Sequence, residues 1–185
     1  MGQFGAEMEQ AMRDYEAKIL ERLRDYISQN NWEAFINTSL CNPQVLAKAF
    51  TVYDDVPDNL KYQFAIDAYT HTGDRLSGVR KAVRGLRKYG KPELPEEIAT
   101  QDTITVYRAG EESISKAPYR LSWTTDKRVA EFFLNKYFRK HTKHLYRAKI
   151  RTADIIAYTD DREEREVLQY RKVFDIEDIT PKETN

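Results

Sequence analysis

The chain is predicted to be an α+β protein. A helical N-terminal part precedes a mixed, mainly β part that carries one inserted helix. Three observations predict this. Apolar residues recur every three or four positions through the first half. A stretch with two prolines and a glycine, GKPELPEEIATQDT at 90–103, then interrupts the pattern. Beyond it the spacing drops to two.

The helices come first. Met8, Met12, Tyr15, Ile19, Leu23 and Tyr26 mark an amphipathic helix from residue 5 to about 30. NWEAFINTSL and NPQVLAKAFTVY give shorter helices, the second opened by Pro43. VPDNLKYQFAIDAYTHTG gives another, with Asp58 as N-cap and Gly73 as stop. In RLSGVRKAVRGLRKYGK, residues Leu76, Val79, Val83 and Leu86 form one stripe. Trp32, Phe35, Phe50, Tyr62 and Phe64 are expected in the helical core. The connector divides the chain into a helical region, 1–95, and a second region, 96–185. Leu94 and Ile98 are apolar enough to dock.

The second region reads TITVYRAG, YRLSWTT, HLYRAKI, DIIAY and EVLQYRKVF as strands. DKRVAEFFLNKYF is the inserted helix, with Val129, Phe132, Phe133 and Tyr137 on one stripe.

Thirty Lys and Arg balance thirty Asp and Glu, so no global field points to nucleic acid or membrane. No window approaches the roughly 18 apolar residues of a membrane span. The N-terminus has neither a signal-peptide core nor a myristoylation motif, and the chain reads as cytoplasmic. A single cysteine, Cys41, excludes an internal disulfide and a cysteine-based zinc site. It reads as an inert small residue. The three histidines show no ligand-like grouping, and no metal is expected.

Four features carry candidate chemistry. Arg108 ends a strand whose face otherwise reads Ile104, Val106. A buried guanidinium needs a partner, either a structural carboxylate or a bound phosphate. In LSWTTD, just before a helix, Thr124 or Thr125 serves as the N-cap, or Ser122 holds a ligand's amide or hydroxyl. Residues 160–166 are seven consecutive charges, five of them acids. Glu164 and Glu166 point the same way if the backbone there is extended. Two such carboxylates can divide the stabilisation of positive charge and the acceptance of a proton. A solvated acidic loop is the plainer reading. Finally, residues 75–91 hold seven basic side chains and no acid. Arg80, Lys81, Arg84, Arg87 and Lys88 present either a solvated face or a dock for nucleic acid or an acidic protein.

An aromatic-Arg pair near a strand end, then S-x-T before a helix, then E-x-E leading into a strand, resembles the R-S-E class of ADP-ribosyltransferases. The resemblance covers roughly residues 101–178. The wording SWTTD, VAEFF and REEREVL is similar to that of uncharacterised ADP-ribosyltransferase-like proteins of bacteriophages and prophages. It implies a split β-sandwich with a cleft for NAD⁺, which is the substrate that supplies ADP-ribose. Arg108 would anchor the phosphate and nicotinamide-ribose end, beside Tyr107, Trp123 and Thr124. Ser122 would support Glu166 or the ribose. Glu166 would bond the ribose 2′-hydroxyl, and Glu164 would position the nucleophile. The E-x-E form resembles that of arginine-directed members. The acceptor would be a macromolecule, such as an arginine of a bacterial host protein. Two departures stand out: Arg108-Ala109-Gly110 replaces the usual Arg-Gly, and Ser122-Trp123-Thr124 replaces S-T-S. An NAD⁺ glycohydrolase with the same site is one alternative. A non-enzymatic module acting through the basic helix is another.

Overall fold

A computed structural model describes residues 2–41, 43–73, 77–137, 143–160 and 163–181. The chain divides into two compact units, Met1–Gly90 and Lys91–Asn185. The division falls at the start of the 90–103 connector.

The first unit is helical: α1 Gly2–Ser28, α2 Trp32–Leu40, α3 Pro43–Ala49, α4 Asp58–Thr72 and α5 Ser77–Gly85. Asn31 caps α2 by accepting a hydrogen bond from the Ala34 amide at 3.2 Å. Gly73 ends α4 with φ 61°, a conformation that suits glycine. Asp58 is the first residue of α4, with Pro57 at the cap position. Its carboxylate instead takes the Lys61 ammonium at 2.9 Å. Phe35, Phe50, Tyr53 and Phe64 form an aromatic cluster with ring centroids 5.2–6.1 Å apart.

The apolar stripe of α1 is only half used. Leu23 is buried, whereas Met8, Met12 and Tyr15 are more than half exposed. In α5, Val79, Ala82 and Val83 are buried, and Leu86 continues the stripe in a short 3₁₀ turn. Leu76 lies outside the described residues. The basic side chains Arg80, Lys81, Arg84, Arg87 and Lys88 all lie on the exposed side. Cys41 is exposed rather than packed.

The second unit holds a short helix α6 Glu96–Ala99, then β1 Thr103–Gly110, β2 Ser122–Thr124, α7 Lys127–Tyr137, β3 His144–Arg151, β4 Ile155–Thr159, β5 Glu166–Gln169 and β6 Phe174–Asp178. The strands form one antiparallel sheet in the order β4-β5-β2-β1-β3-β6. The architecture is therefore α+β, with a helical N-terminal part. The sheet is continuous rather than divided in two. Its centre is narrow, because β1 and β2 share one register pair, Tyr107↔Thr124, while β1 and β3 share eight.

One face of the sheet is the main core. Ile104, Val106, Trp123, Tyr146, Ala148, Ile150 and Val167 are buried there, with Ile98 docked and Leu94 packed alongside. Helix α7 covers part of the other face through Ala130 and Leu134, against Ala109 and Leu145. The expected α7 stripe is thus displaced. Phe133 packs in part, but Phe132 and Tyr137 are exposed. Small Ala130 allows close approach of helix to sheet, which the bulkier residues could not.

Two strand expectations need correction. YRLSWTT contributes only Ser122–Thr124 to the sheet. EVLQYRKVF is two strands, since the chain turns between Gln169 and Phe174. β6 was missed because its alternation runs Phe174-Asp-Ile176-Glu. Two apolar residues spaced by acids make a weak signal, and one that suits a solvated edge strand.

Candidate functional site

Sheet register places the candidate residues before any side chain is considered. Directly opposed residues of antiparallel strands lie on the same face. Thr159, Glu166, Thr124, Tyr107, Arg147 and Glu177 therefore form one row across five strand pairings. Ser122 lies on this face too, two residues from Thr124. Arg108, paired with Tyr146, and Trp123, paired with Val167, lie on the opposite face.

Ser122 joins the two faces. Beyond Tyr107↔Thr124 the β1–β2 ladder stops. There the Arg108 guanidinium takes over a backbone acceptor, donating from Nη1 to the Ser122 carbonyl at 2.9 Å. The Ser122 hydroxyl donates in turn to Glu166 Oε1. Arg108, Ser122 and Glu166 are thus linked by consecutive hydrogen bonds, although they lie on three different strands. Glu166 is 7% exposed. A buried carboxylate with a fixed donor is held in one orientation and responds strongly to nearby charge.

Thr124 anchors the loop before β5. Its hydroxyl donates to the Glu164 carbonyl at 2.6 Å and accepts from the Asp126 amide at 3.0 Å. The Thr125 amide donates to the Arg165 carbonyl at 3.0 Å. Thr124 thus supports the loop, while the expected cap at Thr124 or Thr125 is corrected to Asp126, whose Oδ1 accepts from the Arg128 amide at 2.8 Å in the first turn of α7. Glu164 is half-buried. The condition that the backbone be extended at E-x-E is not met. Glu163 and Arg165 adopt φ of 56° and 45°, left-handed conformations. Asp160 receives this turn, accepting the Glu163 amide at its carbonyl (2.9 Å) and the Arg165 amide at Oδ1 (3.0 Å). The two glutamates are therefore not alternate residues of one strand. Asp161 and Arg162 of the acidic run lie outside the described residues.

Trp123 is corrected from ligand contact to core. It is 1% exposed, and its indole N–H donates to the Arg120 carbonyl at 3.2 Å. Tyr107 is half-buried and lines a cavity of about 620 Å³, with Thr105, Arg147, Lys149, Asp175 and Glu177. Two ion pairs, Arg147–Glu177 and Lys149–Asp175, rung this cavity.

The carboxylate partner of Arg108 is Glu112, which sequence reasoning missed. Arg108 Nε lies 2.7 Å from Glu112 Oε1, and Arg120 Nε lies 3.2 Å from the same oxygen. The Glu112 side chain is 6% exposed. Burial by itself raises its pKa. The Arg108 guanidinium, seconded by Arg120, outweighs burial and holds the carboxyl below its ordinary range. The Tyr146 hydroxyl donates to the Glu112 carbonyl at 2.5 Å. Burial, with Asp178 and Glu112 nearby, pushes the Tyr146 phenol up to about 12. The available signal for Glu112 was RAGEE, an acid four residues past the odd arginine across a glycine.

Among the described residues, no group of three or more His, Cys, Asp or Glu is placed to hold a metal ion, and no helix is long and apolar enough to cross a membrane. Comparison with protein-family models, with curated proteins and with solved structures finds no match to this chain.

Proposed function

We propose that the second unit is a mono-ADP-ribosyltransferase that cleaves the nicotinamide–ribose bond of NAD⁺ and passes ADP-ribose to a macromolecule. The observation that carries this reading is the hydrogen-bonded series Arg108–Ser122–Glu166 where β1 and β2 part. Each residue has a matching task. Bond cleavage sends the electron pair out with nicotinamide and leaves an oxocarbenium-like ribose. A fixed, buried carboxylate such as Glu166 stabilises that cation more strongly than a solvated one does. The Ser122 hydroxyl keeps Glu166 aimed, so little reorganisation is needed as charge develops. Arg108, joined to Ser122 through the Ser122 carbonyl, is the guanidinium this reading assigns to phosphate. The acceptor then adds to the ribose carbon and loses its proton.

One observation favours a second reading, an NAD⁺ glycohydrolase. The left-handed residues around Glu164 break the strand geometry that would set both glutamates side by side. A site with only Glu166 fixed suffices for transfer to water. The test is to incubate the full chain with labelled NAD⁺ and bacterial lysate. Labelled macromolecules with free nicotinamide support the transferase. Free nicotinamide alone supports the glycohydrolase, and no nicotinamide release removes both.

A further inference from the structure

We infer that the basic face of α5 and the turn after it binds the phosphate backbone of duplex DNA. The inference is independent of the NAD⁺ reading, because every residue it uses belongs to the first unit.

Four observations carry it. First, the positive charge is segregated. Residues 1–74 hold twelve acids and six bases, residues 75–91 seven bases and no acid, and residues 92–185 eighteen acids and seventeen bases. A net charge of zero thus conceals one local excess of cations. Second, that excess faces solvent. Arg80, Lys81, Arg84, Arg87 and Lys88 are all exposed. Among the described residues no ion pair engages Arg80, Lys81 or Lys88, whereas exposed cations elsewhere, such as Arg13, Lys127 and Arg147, meet a carboxylate. Third, the face is firmly mounted. Val79, Ala82, Val83 and Leu86 are buried beneath it. Gly78 lies against Phe50, where a Cβ would fall 2.7 Å from the Phe50 Cβ. Past the turn, the Tyr89 ring has the Lys61 ammonium 5.2 Å from its centroid. Binding therefore orders only the cationic side chains and not the backbone that carries them. Fourth, the face lacks what other partners need. A protein interface has an apolar core, often aromatic, and is poor in Lys. None of the large apolar side chains exposed among the described residues lies between Ser77 and Lys88. Single-stranded nucleic acid is held by aromatic rings on which bases stack. Residues 77–88 contain no aromatic. A duplex presents phosphates along its outside and requires neither feature.

The dimensions agree. From Arg80 to Lys88 the chain runs about 12 Å along the helix axis. A DNA duplex carries about seven phosphate charges over that length, enough for all five cations. The B-form major groove, about 12 Å wide, admits a helix, which the narrow groove of duplex RNA does not. Three of the five cations are arginines, whose planar fork suits phosphate. Residues 77–88 include no Asn, Gln, Asp or Glu, so the contacts position the chain on the backbone and leave sequence unread.

The experiment is fluorescence anisotropy of a labelled DNA duplex of about 20 base pairs, titrated with the full chain at several salt concentrations. The parent is compared with the triple variant Arg80→Gln, Arg84→Gln, Arg87→Gln and with the charge-keeping triple Arg80→Lys, Arg84→Lys, Arg87→Lys. Circular dichroism and urea midpoints establish folding, and Lys81→Gln with Lys88→Gln replaces the arginine variants if those do not fold. The parent is expected to show a slope of log K against log salt of about −4.5, from five contacts at about 0.9 each. Between about 50 and 200 mM salt the affinity then falls roughly 500-fold. The Gln triple should flatten the slope by about 2.7, the Lys triple should retain most of it, and two duplexes of unrelated sequence should bind alike. No binding by the folded parent at about 20 mM salt, or an unchanged slope in the folded Gln triple, overturns the inference. Equal binding to polyglutamate of matched charge assigns the face to acidic proteins and overturns it as well.

Discussion

Replacing Gly110 by alanine is expected to change sign with the residue at position 112. An alanine Cβ would sit 2.3 Å from Glu112 Oε2, 2.6 Å from Cδ and 2.8 Å from Oε1. Gly110 is not among the positive-φ glycines, so its backbone accepts alanine and space alone decides. The carboxylate must leave, breaking its bond to Arg108. A charge-assisted bond of this kind contributes roughly 1.5–3 kcal/mol. Arg108 is 24% exposed and Arg120 42% exposed, so water re-solvates both guanidiniums, and the lower end, about 1.5–2 kcal/mol, applies. Alanine returns roughly 0.4–1 kcal/mol by restricting the unfolded chain. Gly110→Ala should therefore destabilise the parent by about 1 kcal/mol. In a Glu112→Ala background nothing is displaced, and the same change should stabilise by about 0.4–1 kcal/mol. The coupling energy is then about 1.5–2 kcal/mol. Urea unfolding of the four proteins of the cycle measures it. Equal effects of Gly110→Ala in both backgrounds, within about 0.5 kcal/mol, refute the argument that glycine is there to seat the carboxylate.

Other outcomes follow from the same geometry. Because the Glu112 pKa is lowered in the folded protein, its charge stabilises the fold above the ordinary glutamate value of 4.5, and this contribution disappears as pH falls through the folded value. The gap in urea midpoint between parent and Glu112→Gln should be full at pH 7 and close in acid; a gap independent of pH rejects the ion-pair account. Glu166→Gln should slow nicotinamide release roughly 10²–10⁴-fold while the protein stays folded, measured by chromatography of labelled NAD⁺ reactions. Glu164→Gln should abolish labelling of the acceptor and spare nicotinamide release; equal loss of both products removes that division of roles. In the first unit, Arg80→Gln, Arg84→Gln and Arg87→Gln together should shift stability by under about 0.5 kcal/mol per site, whereas Leu86→Ala should cost about 2–5 kcal/mol, by urea unfolding. If the basic face binds nucleic acid, retention on DNA at low salt should weaken steeply with salt, and the triple variant should flatten that slope.

Much of the architecture was legible because it depends on local period. The helices from Trp32 to Lys88 and the strands β1, β3 and β4 each bury a face whose spacing is written in consecutive residues. Arg108, Ser122 and Glu166 were legible as residue types in a given order. What the sequence could not contain is partnership across strands. Ser122 is 44 residues from Glu166, and only the β2–β5 register brings them together. Beyond the RAGEE spacing, nothing in the local pattern sets Glu112 apart from the other acids of the chain. It became the buried anchor of two arginines only when the chain folded back from Gly110 to Arg120. Trp123 and Tyr107 read alike as aromatics beside a motif, yet the sheet sends one into the core and leaves the other beside a cavity. The E-x-E spacing suggested a strand, but Asp160 accepts two loop amides and turns the backbone left-handed at Glu163 and Arg165. Periodicity along a chain sets which residues share a face of one element. Hydrogen-bond register and burial, which depend on distant segments, decide which of those residues meet.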